Sequence, residues 1–367
     1  MSNRTLFRGF TLLLGLVACL GSVGGKVAVA DEPPLGKGVR GLVTRAKKPI
    51  AVDGKLDEWS HAFCTPVHYN HGKLNDRAAQ FYYAWDEGSL YIGLRSLDRR
   101  PIDIGEPGSL WNGDAVEFYL DTRTGEKFRS KDWSEGAIHF FFSAFEGTKV
   151  KPRWEMRKGI ATSDVVLEGV EIAAKGNPDG YELELKIPWI NFPGFTPKAG
   201  SLIALDAELC SADGAGRVDR TFAFGSPLSV QQPASQATMQ LVDVFDPDYF
   251  TQAGPASFPC WVETPWVQAE RAEVVGVVAI PPTFVPYVGS VEFRLHDSSG
   301  HIVKTVPATI EPFGPEKWEF VRAVAKWPVD EFVPGAYFAS ARVLAKTGKP
   351  LATVTPRMIQ EAAMTGR

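Results

Sequence analysis

The 367-residue sequence predicts an all-β protein, two β-sandwich domains that follow an N-terminal signal peptide. Three observations predict it. Apolar and polar residues alternate in many short runs, the period of a half-buried strand. Turn-forming clusters such as Asp86-Glu87-Gly88-Ser89 and Asn177-Pro178-Asp179-Gly180 separate those runs. No strong helical pattern interrupts them, and 27 prolines and 35 glycines spread along the chain suit a protein of many turns.

Taken in order, Arg4 and Arg8 precede the apolar run Gly9–Leu20, too short to span a bilayer and arranged as a secretory signal. Two readings of its end compete. Ala28-Val29-Ala30 before Asp31 gives a signal peptide of residues 1–30, whereas Leu16-Val17-Ala18-Cys19 resembles a bacterial lipobox that would make Cys19 a lipid anchor. Either way the expectation is export: secreted, periplasmic or lipid-anchored in the envelope. Residues 31–40 read as a polar, proline-containing linker and residues 41–246 as the first sandwich.

That domain opens at Gly41–Val52 with an edge-like strand, followed by a short turn at Asp57 and Glu58 that packs Trp59 on the sheet. Phe81, Tyr83 and Trp85 then alternate on one strand and Leu90, Ile92 and Leu94 on the next, a hairpin with one buried face. Val116, Phe118 and Leu120 point one way and Glu117, Tyr119 and Asp121 the other. The same alternation returns at Ile138–Ser143, Tyr181–Ile187 and Ile203–Leu209, with a last strand at Thr221–Phe224. Many short strands separated by turns indicate an antiparallel sandwich. Residues 247–259 combine prolines, glycine and small residues as a linker, and the strand pattern restarts over 260–360, with Asp297-Ser298-Ser299-Gly300 and Lys346-Thr347-Gly348 as turns.

The net charge of −4 comes with no basic tract, which argues against nucleic acid and anionic lipid as partners. Beyond Cys19 the cysteines are Cys64, Cys210 and Cys260, so at most one intrachain bridge forms and a disulfide-built scaffold is excluded. The chain has no GxSxG, HExxH, phosphate-loop or CxxC motif. Asp114 with Glu117, or Asp206 with Glu208, has the spacing of a glycosidase pair, but carboxylates two or three residues apart are ordinary on the wet face of a sheet. His61, His68 and His71 form a loose cluster without a recognisable metal-ligand spacing.

Four segments in this order carry a family resemblance: VDGKLDEW (52–59), AWDEGSLYIGLRSLD (84–98), WNGDAVEFYLD (111–121) and GYELELKIPW (180–189). They resemble the family 9 carbohydrate-binding modules, within the wider group of DOMON-like β-sandwiches, over about residues 40–245. The resemblance implies a non-catalytic domain that binds oligo- or polysaccharide. A sugar's C–H faces stack on aromatic rings while its hydroxyls need aimed donors and acceptors. It puts Trp111 on a stacking tryptophan and Glu117 on a hydroxyl-binding glutamate, with Asn112 beside them and His139 as the candidate basic residue of the neighbouring strand. The family's second stacking tryptophan has no counterpart between Phe224 and Phe245, where Gln231 and Gln232 stand. No cofactor is expected, with a structural calcium at Asp114 as the one exception the family suggests. Bland readings stand beside these. Trp59, Trp85 and Trp189 are read as core, Trp111 as a platform or a ring folded over the sandwich edge, Glu117 as a cleft residue or an outer-sheet ion pair with a residue such as Arg95, and Asp114 as a loop cap. Residues 260–360 resemble immunoglobulin-like domains in fold alone, a spacer or interaction domain. The alternative functions are an envelope structural protein that has lost its sugar site, and a haem-binding relative for which Met156 and Met239 are the methionines available.

Overall fold

In the computed structural model the described residues are 36, 38–59, 63–68, 78–98, 100–102, 108–224, 227–244, 261–262, 266–268, 273–280, 285–313, 320–328, 337–358 and 360–361. The signal segment, Cys19, His61, His71, Cys260, the joint at 247–259 and the side chains of Cys64 and His68 lie outside them. None of the described helices is long and apolar enough to cross a membrane.

Twelve strands make the first sheet: β1 (Val39–Arg45), β2 (Phe63–His68), β3 (Ala78–Trp85), β4 (Ser89–Leu97), β5 (Ala115–Asp121), β6 (Ala137–Glu146), β7 (Lys149–Met156), β8 (Glu171–Asn177), β9 (Gly180–Pro188), β10 (Leu202–Ala212), β11 (Arg217–Phe222) and β12 (Ala237–Val242). Their order is β7-β6-β5-β10-β12-β1-β3-β4-β9-β8, with β11 added to β10 and β2 to β3. The sheet folds on itself, so that β7 at one end packs beside β8 at the other and Phe145 of β6 meets Tyr181 of β9 edge-on at 5.0 Å. The fold is nearly all β, as the alternation predicts.

The hairpin forms in the predicted register, with Phe81 opposite Leu94, Tyr83 opposite Ile92 and Trp85 opposite Leu90. Its turn is closed by Asp86, whose Oδ1 accepts from the N–H groups of Gly88 and Ser89 at 2.8 and 2.7 Å. The Asn177–Gly180 turn works in the same way, Asn177 Oδ1 accepting from Asp179 N at 3.0 Å. Val116, Phe118, Leu120, Ile138, Phe140, Phe142, Ile203, Leu205 and Leu209 supply the facing half of the core. Met239 is buried in the same core, and Trp59, Trp85 and Trp189 are all buried. Trp59 lies on the other side of the hairpin, in a small cluster with Leu56, Tyr82, Ala84 and Tyr91, and donates from Nε1 to Glu184 Oε1 at 2.8 Å.

The opening strand departs from expectation. β1 is central, not an edge, and runs parallel to both neighbours, β12 and β3, in a sheet otherwise read as antiparallel. Its sequence permits this because Gly41, Leu42, Val43 and Thr44 are buried in an unbroken run, the pattern of an inner strand and not the half-wet pattern of an edge.

Residues 261–361 form two further sheets among the described residues. One contains Glu273–Ile280, Thr309–Phe313 and Phe320–Pro328, and the other Val288–His296, Ile302–Pro307, Phe338–Ala345 and Pro350–Met358. Phe293 of the second meets Trp327 of the first edge-on at 5.7 Å, joining the apolar faces of the two.

Candidate functional site

The face of β5, β6, β10 and β11 turned away from the core carries the residues of interest. Strand pairing sets Glu117 opposite both Phe141 and Glu208, and Tyr119 opposite both His139 and Asp206. Such a face should be solvated, yet Glu117 is 1% exposed and Tyr119, His139, Asp206 and Glu208 are 0%. The reading of the Asp206/Glu208 and Asp114/Glu117 spacings as wet-face residues is therefore corrected. Side chains from β11 and the loops cover them.

Arg217 and Arg220 do much of this. Three residues apart, they would lie on opposite faces of a regular strand. A bulge in the β10–β11 ladder between Ser211 and Ala212 pairs Cys210 with Arg220 and Ala212 with Arg217, and both guanidinium groups reach Glu208. Arg217 Nη1 donates to Glu117 Oε1 at 2.8 Å, and Arg220 holds Glu208 through Nε and, at 2.7 Å, Nη2. Tyr119 Oη stands 2.7 Å from Glu117 Oε2 and 2.8 Å from Glu208 Oε2. It has one proton to give, so it satisfies one carboxylate at a time. His139 Nε2 lies 3.2 Å from Glu117 Oε2.

These partners set the charges. Burial pushes the Glu117 carboxyl up, but His139, Tyr119 and Arg217 outweigh it and bring it down to about 2. Burial raises Glu208, with Arg220 opposing and Glu117 reinforcing. Burial lowers the His139 imidazole against the pull of Glu117. Cys210, free and buried, lies 3.7 Å from Glu208 Oε1 and 3.5 Å from Arg217 Nη1, and burial beside two carboxylates pushes its thiol well up. Glu117, Glu208 and Cys210 stand close enough to hold an ion together, but the arginines already neutralise the carboxylates and the thiol keeps its proton.

Trp111 sits in a short 3-10 turn, Leu110–Asn112, half-buried against Leu110, Ala115 and Phe141, with the Arg217 guanidinium 4.9 Å from its ring centroid. Asn112 Oδ1 accepts from the Arg217 backbone N at 3.1 Å and so braces the strand that carries this arginine. Gly216, at φ +147, lies against the same amide, where a Cβ would stand 3.1 Å from Asn112 Oδ1. The ion-pair partner of Glu117 is Arg217 and not Arg95, which pairs with Glu182 at 2.9 Å.

Asp114 is buried beneath the same turn. Its oxygens accept from Ile102 N at 2.6 Å and Ala212 N at 2.7 Å, joining the turn to β10 as a loop cap would. Burial, with the Asp98 carboxylate beside it, pushes Asp114 up to about 8. Among the described residues the Asp114 carboxylate meets two N–H donors and the Asp98 carboxylate.

The sequence missed Trp133, Arg217 and Arg220. Trp133, from the loop between β5 and β6, stacks on His139 at 5.5 Å between centroids, 29° between planes, and donates from Nε1 to the backbone O of Gln231 at 3.0 Å. The loop that lacks the expected tryptophan is thus tied to another one. Its Ser229 donates to Asp206 Oδ2 at 2.8 Å. A tryptophan in a polar loop is visible in the sequence, but its place on the face depends on strand pairing.

Residues 52–232 match the family model described as carbohydrate family 9 binding domain-like. No curated protein matches the chain. Similar solved structures include a family 9 carbohydrate-binding module from Caldicellulosiruptor kristjanssonii in complex with cellotriose, 18% identical, with 56% of this chain and 95% of that one covered and a TM-score of 0.44. The same organism's module in complex with glucose gives 18% identity, 56% and 97% coverage and a TM-score of 0.44. The family match spans Trp59, Trp111, Glu117, Trp133, His139, Arg217 and Gln231, and residues 52–232 of this chain form a carbohydrate family 9 binding domain-like domain.

Proposed function

We propose that this domain binds saccharide without transforming it, on the β5–β6–β10–β11 face, and that it does so in an exported protein whose residues 260–360 serve as spacer or interaction domain. One observation carries the reading. Within the family-matched residues, the half-exposed ring of Trp111 stands beside a pre-set ladder of donors and acceptors, Arg217–Glu117–Tyr119–Glu208–Arg220. The ring offers an apolar platform to a sugar's C–H face, and the arginines offer hydrogen bonds at its edge. Glu117 acts here by fixing Arg217, since its own oxygens are already taken. The same saturation favours a second reading, a structural protein in which the network only holds the sheet together.

Isothermal titration of the full chain with cello- and xylo-oligosaccharides separates the two. Weak binding, near the millimolar range, is expected. Trp111→Ala should abolish it while moving the melting temperature by only a few degrees, because the ring is half-exposed and its loss opens no closed cavity. Absence of binding to any glycan, or a melt of Trp111→Ala as early as that of a core variant, would favour the structural reading.

A further inference from the structure

We propose that Trp133 and Arg157 complete a subsite on this face for the carboxylated ring of a uronic acid-containing oligosaccharide. The proposal rests on the saccharide reading above and narrows its ligand. Trp133, His139, Phe141 and Trp111 form a continuous aromatic row. Trp133 stacks on His139 at 5.5 Å, His139 meets Phe141 at 5.3 Å, and Trp111 packs in the same cluster as Phe141. Both tryptophans at its ends are half-buried, and each is held in place, one by the hydrogen bond to Gln231 and the other by Arg217.

Arg157 stands at the middle of this row. Its backbone N donates to His139 O at 2.9 Å, which places it opposite His139, and its guanidinium carbon lies 5.9 Å from the Phe141 centroid. Arg217 and Arg220 each have a carboxylate, whereas the Arg157 side chain has no ion pair or hydrogen bond among the described residues. A half-buried guanidinium over an aromatic row therefore keeps its planar fork of donors free, the geometry that a carboxylate fills with two parallel hydrogen bonds. Asp132 and Glu135 flank Trp133, but both are exposed and solvent screens them.

His139 lies beneath Trp133, fully buried, and supports the indole from below, so the face of Trp133 turned away from His139 is the one left for a ligand. A sugar ring stacked there with a carboxylate at C6 has Arg157 within the same row.

The test uses two trisaccharides that differ at C6 alone, β-1,4-linked glucuronic acid and cellotriose, titrated into the full chain. The glucuronate trimer should bind roughly tenfold tighter at low salt, as a charge-assisted contact does, and lose that advantage as salt rises. Arg157→Gln should erase the difference between the two, and Trp133→Ala should weaken both several-fold with an unchanged melting temperature. Equal affinity for the two trimers, or a preference that survives Arg157→Gln, overturns this proposal alone and leaves saccharide binding standing. Failure of both trimers and of all other glycans removes the saccharide reading and this proposal with it.

Discussion

Trp85→Ala is expected to destabilise the protein by about 3–5 kcal/mol, enough to consume much of a domain's margin. Trp85 is 0% exposed, at the end of a strand whose inward residues are Phe81 and Tyr83. Truncation leaves a cavity walled by β4 on one side, where Leu90 stands opposite. It also strands two partners. The carbonyl of Val242 accepts from Trp85 Nε1 at 3.0 Å, and the Arg45 guanidinium lies 4.3 Å from the ring. The loss therefore reaches β1, β3 and β12 at their point of contact, where β1 runs parallel to both. Thermal or urea unfolding of the variant beside the wild type measures it. A change below about 1 kcal/mol would mean that the site collapses around the missing ring.

Glu117→Ala is expected to cost a further large amount, about 3 kcal/mol, because it removes one partner from a buried charge network and leaves the other side in place. Arg217 is 18% exposed and recovers part of its hydration, which keeps the loss at the low end of the range for broken buried pairs. The pH dependence distinguishes this from simple packing. The folded-state pKa of Glu117, about 2, lies below its ordinary 4.5. Its contribution is present above pH 4.5 and is lost as pH falls through 2. Asp114 has the opposite sign. Its pKa of about 8 lies above the ordinary 3.8, so its contribution is present below that value and is lost as pH rises through 8. Melting temperature should thus fall on both sides, with separable causes. Glu117→Gln should flatten the acid arm. Asp98→Asn, which replaces the repelling carboxylate beside Asp114 with an amide that can donate to it, should flatten the neutral arm. An acid arm unchanged by Glu117→Gln would show that other carboxylates carry it.

The fold class was legible because strand alternation and turn chemistry are local. Phe81, Tyr83 and Trp85 repeat at the strand period, Asp86 and Asn177 close their own turns within three residues, and no distant contact is needed to predict either. Trp111 and Glu117 were legible as a motif, six residues apart on a turn and the strand that follows it. The centrality of β1 was not, because a strand's neighbours come from elsewhere in the chain and its own residues, which read as an edge strand, do not name them. Nor was the closure of the polar face. Arg217 and Arg220 share a side only because the bulge at Ser211/Ala212 breaks the two-residue period, and Trp133 reaches His139 only because β5 pairs with β6 and the 227–236 loop offers a carbonyl. The sequence alone determined the sandwich and the place of Trp111 on the turn before β5. Tertiary pairing decided which charges meet, which carboxylates lose water, and which second tryptophan stands on the face, since each depends on contacts between residues many positions apart.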